Sequence, residues 1–136
     1  MTAQEALKNY FGYDSFRPGQ DTVVSALLSR RDALAIMPTG AGKSMCYQLP
    51  ALLLPGITLV VSPLISLMKD QVNALVQSGV RAAYLNSSLT EGQTAKAIAN
   101  AMEGVYKIIY VAPERLFTPR FQNFAQGMNI SMVCVD

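Results

Sequence analysis

The chain has no histidine among its 136 residues, so a zinc site would lack its commonest nitrogen ligand. Its two cysteines, Cys46 and Cys134, are far apart and sit among apolar residues. They read as small buried core residues, not as a bridge or a metal pair. Charge is scarce: 15% of residues are charged against 51% hydrophobic, which excludes a disordered tail. The net charge is only +2, so no global basic field announces nucleic acid, and any such contact must come from a local face. No apolar run approaches the ~20 residues needed to cross a bilayer, so no membrane partner is expected. Residues 1–5 lack both the basic region and the apolar stretch of a secretory signal, and a cytoplasmic location is the default expectation. No internal repeat, low-complexity tract or linker breaks the chain, and its length fits one domain at most.

Against these absences stands one short segment, Pro38-Thr39-Gly40-Ala41-Gly42-Lys43-Ser44, directly after an apolar run at 33–37. A buried strand, a glycine-containing loop and Gly-Lys-Ser opening a helix form the arrangement that holds a nucleoside triphosphate. Glycines let the backbone approach phosphate oxygens closely. Backbone N–H groups and the positive end of the following helix then point at the phosphates. Lys43 adds a full charge near the β- and γ-phosphates, and the Ser44 hydroxyl suits the coordination shell of Mg²⁺. The general pattern begins with Gly, where this chain has Met37.

The rest of the chain alternates. Thr2 and Glu5 stand at capping-box spacing, Ala6, Leu7, Tyr10 and Phe11 follow helical spacing, and Gly12 can end that helix. A second helix is expected from Pro18 or Gly19 to about Ser29. Strands are expected at 33–37, 57–61, 80–85, 107–111 and 130–135. Helices are expected at 42–54, 64–77 and from Thr90 to about Met102. One helical turn at 113–117 and a weak helix at 121–126 complete the pattern. Strands alternating with helices imply an α/β fold, a mostly parallel sheet with helices on both faces. Right-handed crossovers place the strand-to-helix loops on one edge, where ligands bind. The phosphate loop, Ser62-Pro63, Asn86-Ser87-Ser88, 112–115 and Asp136 all fall on that edge.

The apolar strand ending in Asp136 reads as the second half of a phosphate-loop site, its acid holding magnesium directly or through water. Because domain boundaries fall in exposed linkers, a chain stopping at the end of a core strand is expected to be a fragment of a longer protein.

Further segments carry a family resemblance: 11–20 (FGYDSFRPGQ) upstream of the phosphate loop, the Met-Pro-Thr-Gly-x-Gly-Lys-Ser loop itself, 61–71 (VSPLISLMKDQ) and 110–116 (YVAPERL). Together with Asn86-Ser87 and Asp136, they resemble the RecQ-type DNA helicases of helicase superfamily 2 across nearly the whole chain. Met37 is that family's normal variant. The resemblance implies a RecA-like P-loop NTPase core ending after the Walker B strand, with residues 1–32 carrying the base motif and 33–136 an incomplete motor core. It implies ATP and Mg²⁺ as cofactors, with Lys43 and Asp136 as catalytic residues and Ser44 and Asp136 as metal ligands. It also implies 3′ to 5′ unwinding of duplex DNA in repair and recombination. DNA, as single strand and duplex junction, is the implied partner, in the nucleoid of a bacterium or the nucleus of a eukaryote. The family's Glu-Ala-His after Asp136, second motor domain, zinc-binding region and winged helix are not in this chain. The chain alone is therefore expected to be inactive, with its missing C-terminal part as a partner.

By the same resemblance, Gln20 reads adenine, as a primary amide can both donate and accept, and Tyr13 and Arg17 sandwich the base. Core packing for Tyr13 and Phe16 and a solvated charge for Arg17 are the plainer readings. Ser62, Ser66, Lys69, Asn86, Ser87 and Arg115 resemble the segments that touch the DNA backbone. Ser62 as a helix cap and Arg115 in a salt bridge with Glu114 are the alternatives, and Leu64 and Leu67 are expected to pack in the core. Two other functions stay open. An RNA helicase of the same superfamily would commonly carry Pro-Thr-Arg-Glu-Leu where this chain has Pro-Leu-Ile-Ser-Leu. A non-catalytic nucleotide-binding module is the other.

Overall fold

The structure, a computed structural model, describes residues 1–38 and 42–136. They form two compact units, Met1–Leu54 and Pro55–Asp136.

The first unit is helical. The Thr2 hydroxyl accepts from the Glu5 N–H at 3.1 Å and caps α1 (Ala3–Ala6). A π-helical turn, Leu7–Phe11, continues it to Gly12. Ala6 and Leu7 are buried against Val24 of α2 (Gln20–Leu28) and Met45 and Leu49 of α3 (Lys43–Leu53), with Phe16 half-buried on the same cluster. The strand expected at 33–37 does not form: residues 31–38 have no regular structure, and Leu34 and Ile36 are each 89% exposed. The run has the hydrophobicity of a buried strand. Its own unit, however, offers no strand to pair with, and a strand exists only as part of a ladder.

The second unit is a four-stranded parallel sheet in the order β2-β3-β1-β4, formed by β1 (Ile57–Val61), β2 (Ala82–Leu85), β3 (Ile108–Val111) and β4 (Ile130–Val135). β1 pairs with β3 from Thr58↔Ile108 to Val61↔Val111 and with β4 from Ile57↔Ile130 to Val61↔Val135. The register slips once on the β4 side, between Ile57 and Thr58. The crossover from β1 to β2 runs through α4 (Ile65–Gln77), the return to β3 through α5 (Glu91–Met102), and the step to β4 through a 3₁₀ turn (Pro113–Phe117) and α6 (Pro119–Gln126). The first crossover travels across the sheet in the opposite sense to the other two. Right-handed connections therefore put α4 on one face and α5 with α6 on the other. The packing agrees: Ile57, Leu59, Ile109 and Val111 share a core with Ile98 of α5 and with Phe121 and Phe124 of α6, whose rings lie 5.8 Å apart. Thr58, Val60, Ile108 and Tyr110 alternate to the opposite face and are also buried.

Three details depart from the sequence reading. Leu64 and Leu67 are exposed, at 52% and 47%. The buried stripe of α4 is Met68, Val72 and Leu75, at helical spacing, and Leu67 sits a third of a turn off it. The strand expected from Val80 begins at Ala82, because the Val80 N–H closes the end of α4 by donating to the Leu75 carbonyl at 2.9 Å. Cys134 is half-buried, because β4 is an edge strand with β1 as its neighbour.

Gly56 sets the entry to β1. Its φ is +76°, and an added Cβ would lie 2.2 Å from the Asn129 carbonyl oxygen that accepts the Ile57 N–H at 2.9 Å. Gly56→Ala would cost about 1–2 kcal/mol for the left-handed backbone and a further ~1–3 kcal/mol for the forced shift of the β4 entry. Gly92 in α5 has open space around it, and Gly92→Ala should gain ~0.5–1 kcal/mol. Urea titration of the two variants should therefore move the midpoint in opposite directions.

Candidate functional site

In the first unit the candidate site is built around the start of α3. Gly42 caps the helix with φ +78°, Lys43 opens it with an exposed side chain, and Ser44 follows, half-buried. Thr39, Gly40 and Ala41 lie outside the described residues. Pro38 is exposed and Met37 half-buried, its sulfur 3.7 Å from the Cys46 thiol.

Gln20 reaches this loop from the base motif. It is 4% exposed; its Oε1 accepts from the Arg17 N–H at 2.8 Å, and its Nε2 donates to the Gly42 carbonyl at 3.0 Å. One amide thus ties the turn before α2 to the loop before α3. A Cβ at Gly42 would fall 2.4 Å from that Nε2, so the glycine is required both by its backbone and by the close approach of the amide. An amide carries two donors and two acceptor sites, so one of each remains beyond these bonds. Arg17 passes the same place, its Cδ 3.8 Å from the Cβ position of Gly42. Tyr13 is 51% exposed, outside the packed core. Sequence reasoning treated the base motif and the phosphate loop as separate features and missed the amide bridge between them. No residue type or spacing in the chain signals a contact across 22 positions.

In the second unit all four strands are parallel, so all four exits lie on one edge. Ser62 follows β1; it is 5% exposed, and its hydroxyl accepts from the Leu64 N–H at 3.2 Å, shaping the turn into α4. Ser66 and Lys69 in the first turns of α4 are exposed. Asn86 follows β2 and is 1% exposed. Its Oδ1 accepts from the Ser88 N–H at 2.9 Å, and its amide meets the Met68 sulfur at 3.5 Å. Asn86 therefore shapes the loop from inside, while Ser87 and Ser88 are the exposed members. Arg115, after β3, donates from its guanidinium to the Asn86 carbonyl at 2.9 Å, which joins two loops. The alternative reading, a salt bridge with Glu114 or another carboxylate, gives way here to that backbone oxygen. Asp136 follows β4 with its carboxylate exposed and its N–H donating to the Val61 carbonyl at 2.9 Å. Among the described residues no three His, Cys, Asp or Glu side chains gather into a metal cage, and no helix is long and apolar enough to cross a membrane.

A parallel sheet flanked by helices, with a Gly-Lys-Ser helix start and a strand ending in Asp, has known counterparts. The profile of the DEAD/DEAH box helicases matches residues 17–136. The chain belongs to this family. The fold of this helicase-family chain is consistent with a RecA-like domain. The chain is 47% identical over 135 residues to the ATP-dependent DNA helicase RecQ of Bacillus subtilis, covering 98% of this chain and 23% of that one. It is 48% identical over 136 residues to the RecQ helicase of Pasteurella multocida and 50% over 135 residues to that of Haemophilus influenzae, covering 100% and 99% of this chain and 22% of each relative. The helicase-family chain thus spans about a quarter of the length of these curated relatives.

Burial pushes the Cys46 thiol, one turn into α3, above its ordinary value of 9.0. In the unfolded chain the thiol ionises first. The stability this buried thiol contributes is fully present below the ordinary value and is lost as pH rises through the raised one. The melting temperature should therefore fall on the alkaline side of pH 9, and Cys46→Ala should flatten that fall. At pH 8 iodoacetamide should label the half-buried Cys134 before Cys46, because Cys46 is the more buried and burial disfavours its reactive thiolate. Equal labelling rates would contradict the assignment.

Proposed function

We propose that this chain is the ATP-binding part of an ATP-dependent DNA helicase of the RecQ type, which translocates 3′ to 5′ on single strands and separates duplex DNA at junctions in repair and recombination. The observation that carries the reading is the amide bridge from Gln20 to Gly42, immediately before Lys43 and Ser44. It joins the segment read as a base motif to the helix start read as a phosphate site, which supports one nucleotide occupying both. The names of the relatives support the choice of ATP and DNA.

Phosphoryl transfer asks the protein for position and charge. Lys43 supplies a mobile cation at the phosphates, and the N-terminal N–H groups of α3 supply fixed dipoles. The remaining donor and acceptor of Gln20 suit the adenine edge, with Tyr13 and Arg17 beside the ring. Ser44 at the start of α3 and Asp136 after β4 each carry a hard oxygen of the type Mg²⁺ prefers, each within its own unit. A magnesium ion accompanying the nucleotide would supply positive charge against the phosphate oxygens. The exposed Ser66, Lys69 and Ser87, at the carboxyl edge of the sheet, would meet the DNA backbone without reading sequence.

In the intact protein, Lys43→Ala should lower DNA-stimulated ATP hydrolysis at least ~10²-fold, the scale of one lost electrostatic stabiliser of the transition state. Turnover near wild type would remove the nucleotide assignment. Lys69→Ala should leave ATP affinity without DNA unchanged and should reduce the salt slope of oligonucleotide binding by about one phosphate contact. An unchanged slope would return Lys69 to the solvated surface. Stimulation by RNA exceeding that by DNA would favour the RNA-helicase alternative.

A further inference from the structure

A cavity of about 200 Å³ opens between the starts of α5 and α6. Both helices begin at the carboxyl edge of the sheet, so the cavity lies on the edge that carries the exposed Ser66, Lys69 and Ser87. Its wall is apolar, formed by Leu85, Ile98 and Phe121. Its polar groups are Glu91, Thr94, Arg115, Thr118 and Arg120. Thr94 is 3% exposed, and its hydroxyl finds no hydrogen-bond partner among the described residues. A buried hydroxyl without a partner is costly unless a ligand or water satisfies it. Arg115 is held by the Asn86 carbonyl through one nitrogen, and a guanidinium has five donors. Arg120 pairs with Glu91 at 2.6 Å, joining the two helix starts across the cavity.

The lining selects the occupant. A phosphate would meet the arginines but gain nothing from the three apolar side chains. A drug-sized ligand needs ~300 Å³ or more, so a whole nucleotide is too large. One flat ring system, apolar on its faces and bearing acceptors at its rim, matches both parts of the lining. Single-stranded nucleic acid presents such groups when its bases unstack, and proteins commonly take them against aromatic or guanidinium surfaces.

Resting on the DNA-helicase reading above, we propose that this cavity receives a single unstacked base of the bound DNA strand, against the Leu85, Ile98 and Phe121 wall and within reach of Thr94 and Arg115. The base would be taken for its shape, with little sequence preference, and would fix the register of the strand on the sheet edge.

The test uses the intact protein and a duplex with a single-stranded overhang, whose junction fixes the register. One abasic site is walked along the overhang. The expected result is a single position at which base loss weakens binding about tenfold, the scale of one lost base contact, with brightening of 2-aminopurine at that position on binding. Thr94→Val, which keeps the side-chain volume, and Arg120→Gln, at the exposed rim, should each shrink the abasic penalty; the second serves if the first fails to fold. Uniform affinity along the overhang, with total affinity and salt slope intact, would overturn the base pocket and leave the DNA reading standing. A penalty equal in wild type and both variants would overturn it too, because the base would then sit elsewhere. Loss of all DNA binding in the wild-type protein would instead remove the DNA reading itself.

Discussion

The parallel pairing of β1 with β3 on one side and β4 on the other is the constraint from which the second unit follows. β1 is buried on both faces, so its sequence, Ile-Thr-Leu-Val-Val, has no polar alternation; Thr58 is 1% exposed. Parallel neighbours cannot be joined by hairpins. Each strand must therefore return over a face of the sheet, and the right-handed sense of those returns decides which helix covers which face. One consequence is chemical. Four strand exits, carrying Ser62, Asn86, Arg115 and Asp136, open on the same edge with no further design. Hydrogen bonds between exits then lock them together: Ser62 to Val111, Ala112 to Leu85, Asp136 to Val61 and Arg115 to Asn86.

The first unit is organised differently. It is helical, and its candidate site depends on two backbone positions brought together by one side chain. Gly42 lies in the left-handed region, directly under the Gln20 amide. The amide accepts from one turn and donates to the other, so displacing it would leave the Arg17 N–H and the Gly42 carbonyl without this partner. An adenine bound to the remaining edge of the amide would press on the group that holds the loop glycine. The Gln20 side chain and the loop geometry at Gly42 are thereby one mechanical system in this chain.

Much of this was legible in the sequence, for identifiable reasons. The strands at 57–61 and 130–135 are dense apolar runs, bounded by Gly56 and Ser62 and by Asn129 and Asp136. The start of α5 was visible in Thr90, whose reciprocal bonds with Gln93 complete a capping box. Local chemistry decides such features. Residues 33–37 failed because hydrophobicity describes a strand's interior and says nothing of its partner. Leu67 failed because an apolar residue beside a helical stripe reads like one on it. The Gln20 to Gly42 bridge, the engagement of Arg115 by a backbone oxygen and the α5–α6 cavity are all tertiary. The two hydrogen bonds span 22 and 29 positions and the cavity gathers residues from separate helices, with no local pattern that encodes the distance.

A common device links the two units. Burying a polar side chain is unfavourable unless its hydrogen bonds are made. Among the described residues six polar ones are nonetheless buried, and three of them, Gln20, Ser62 and Asn86, sit in the candidate binding loops with their bonds directed at loop backbone. A loop shaped from within by an amide or hydroxyl does not need its exposed side chains for its own conformation. Lys43, Ser66, Lys69 and Ser87 are then left facing solvent. Thr94 is the member of the six that breaks the pattern, buried as deeply yet unsatisfied, and it lies beside a cavity and not inside a turn. Its hydroxyl is explained if the partner it lacks comes with the ligand.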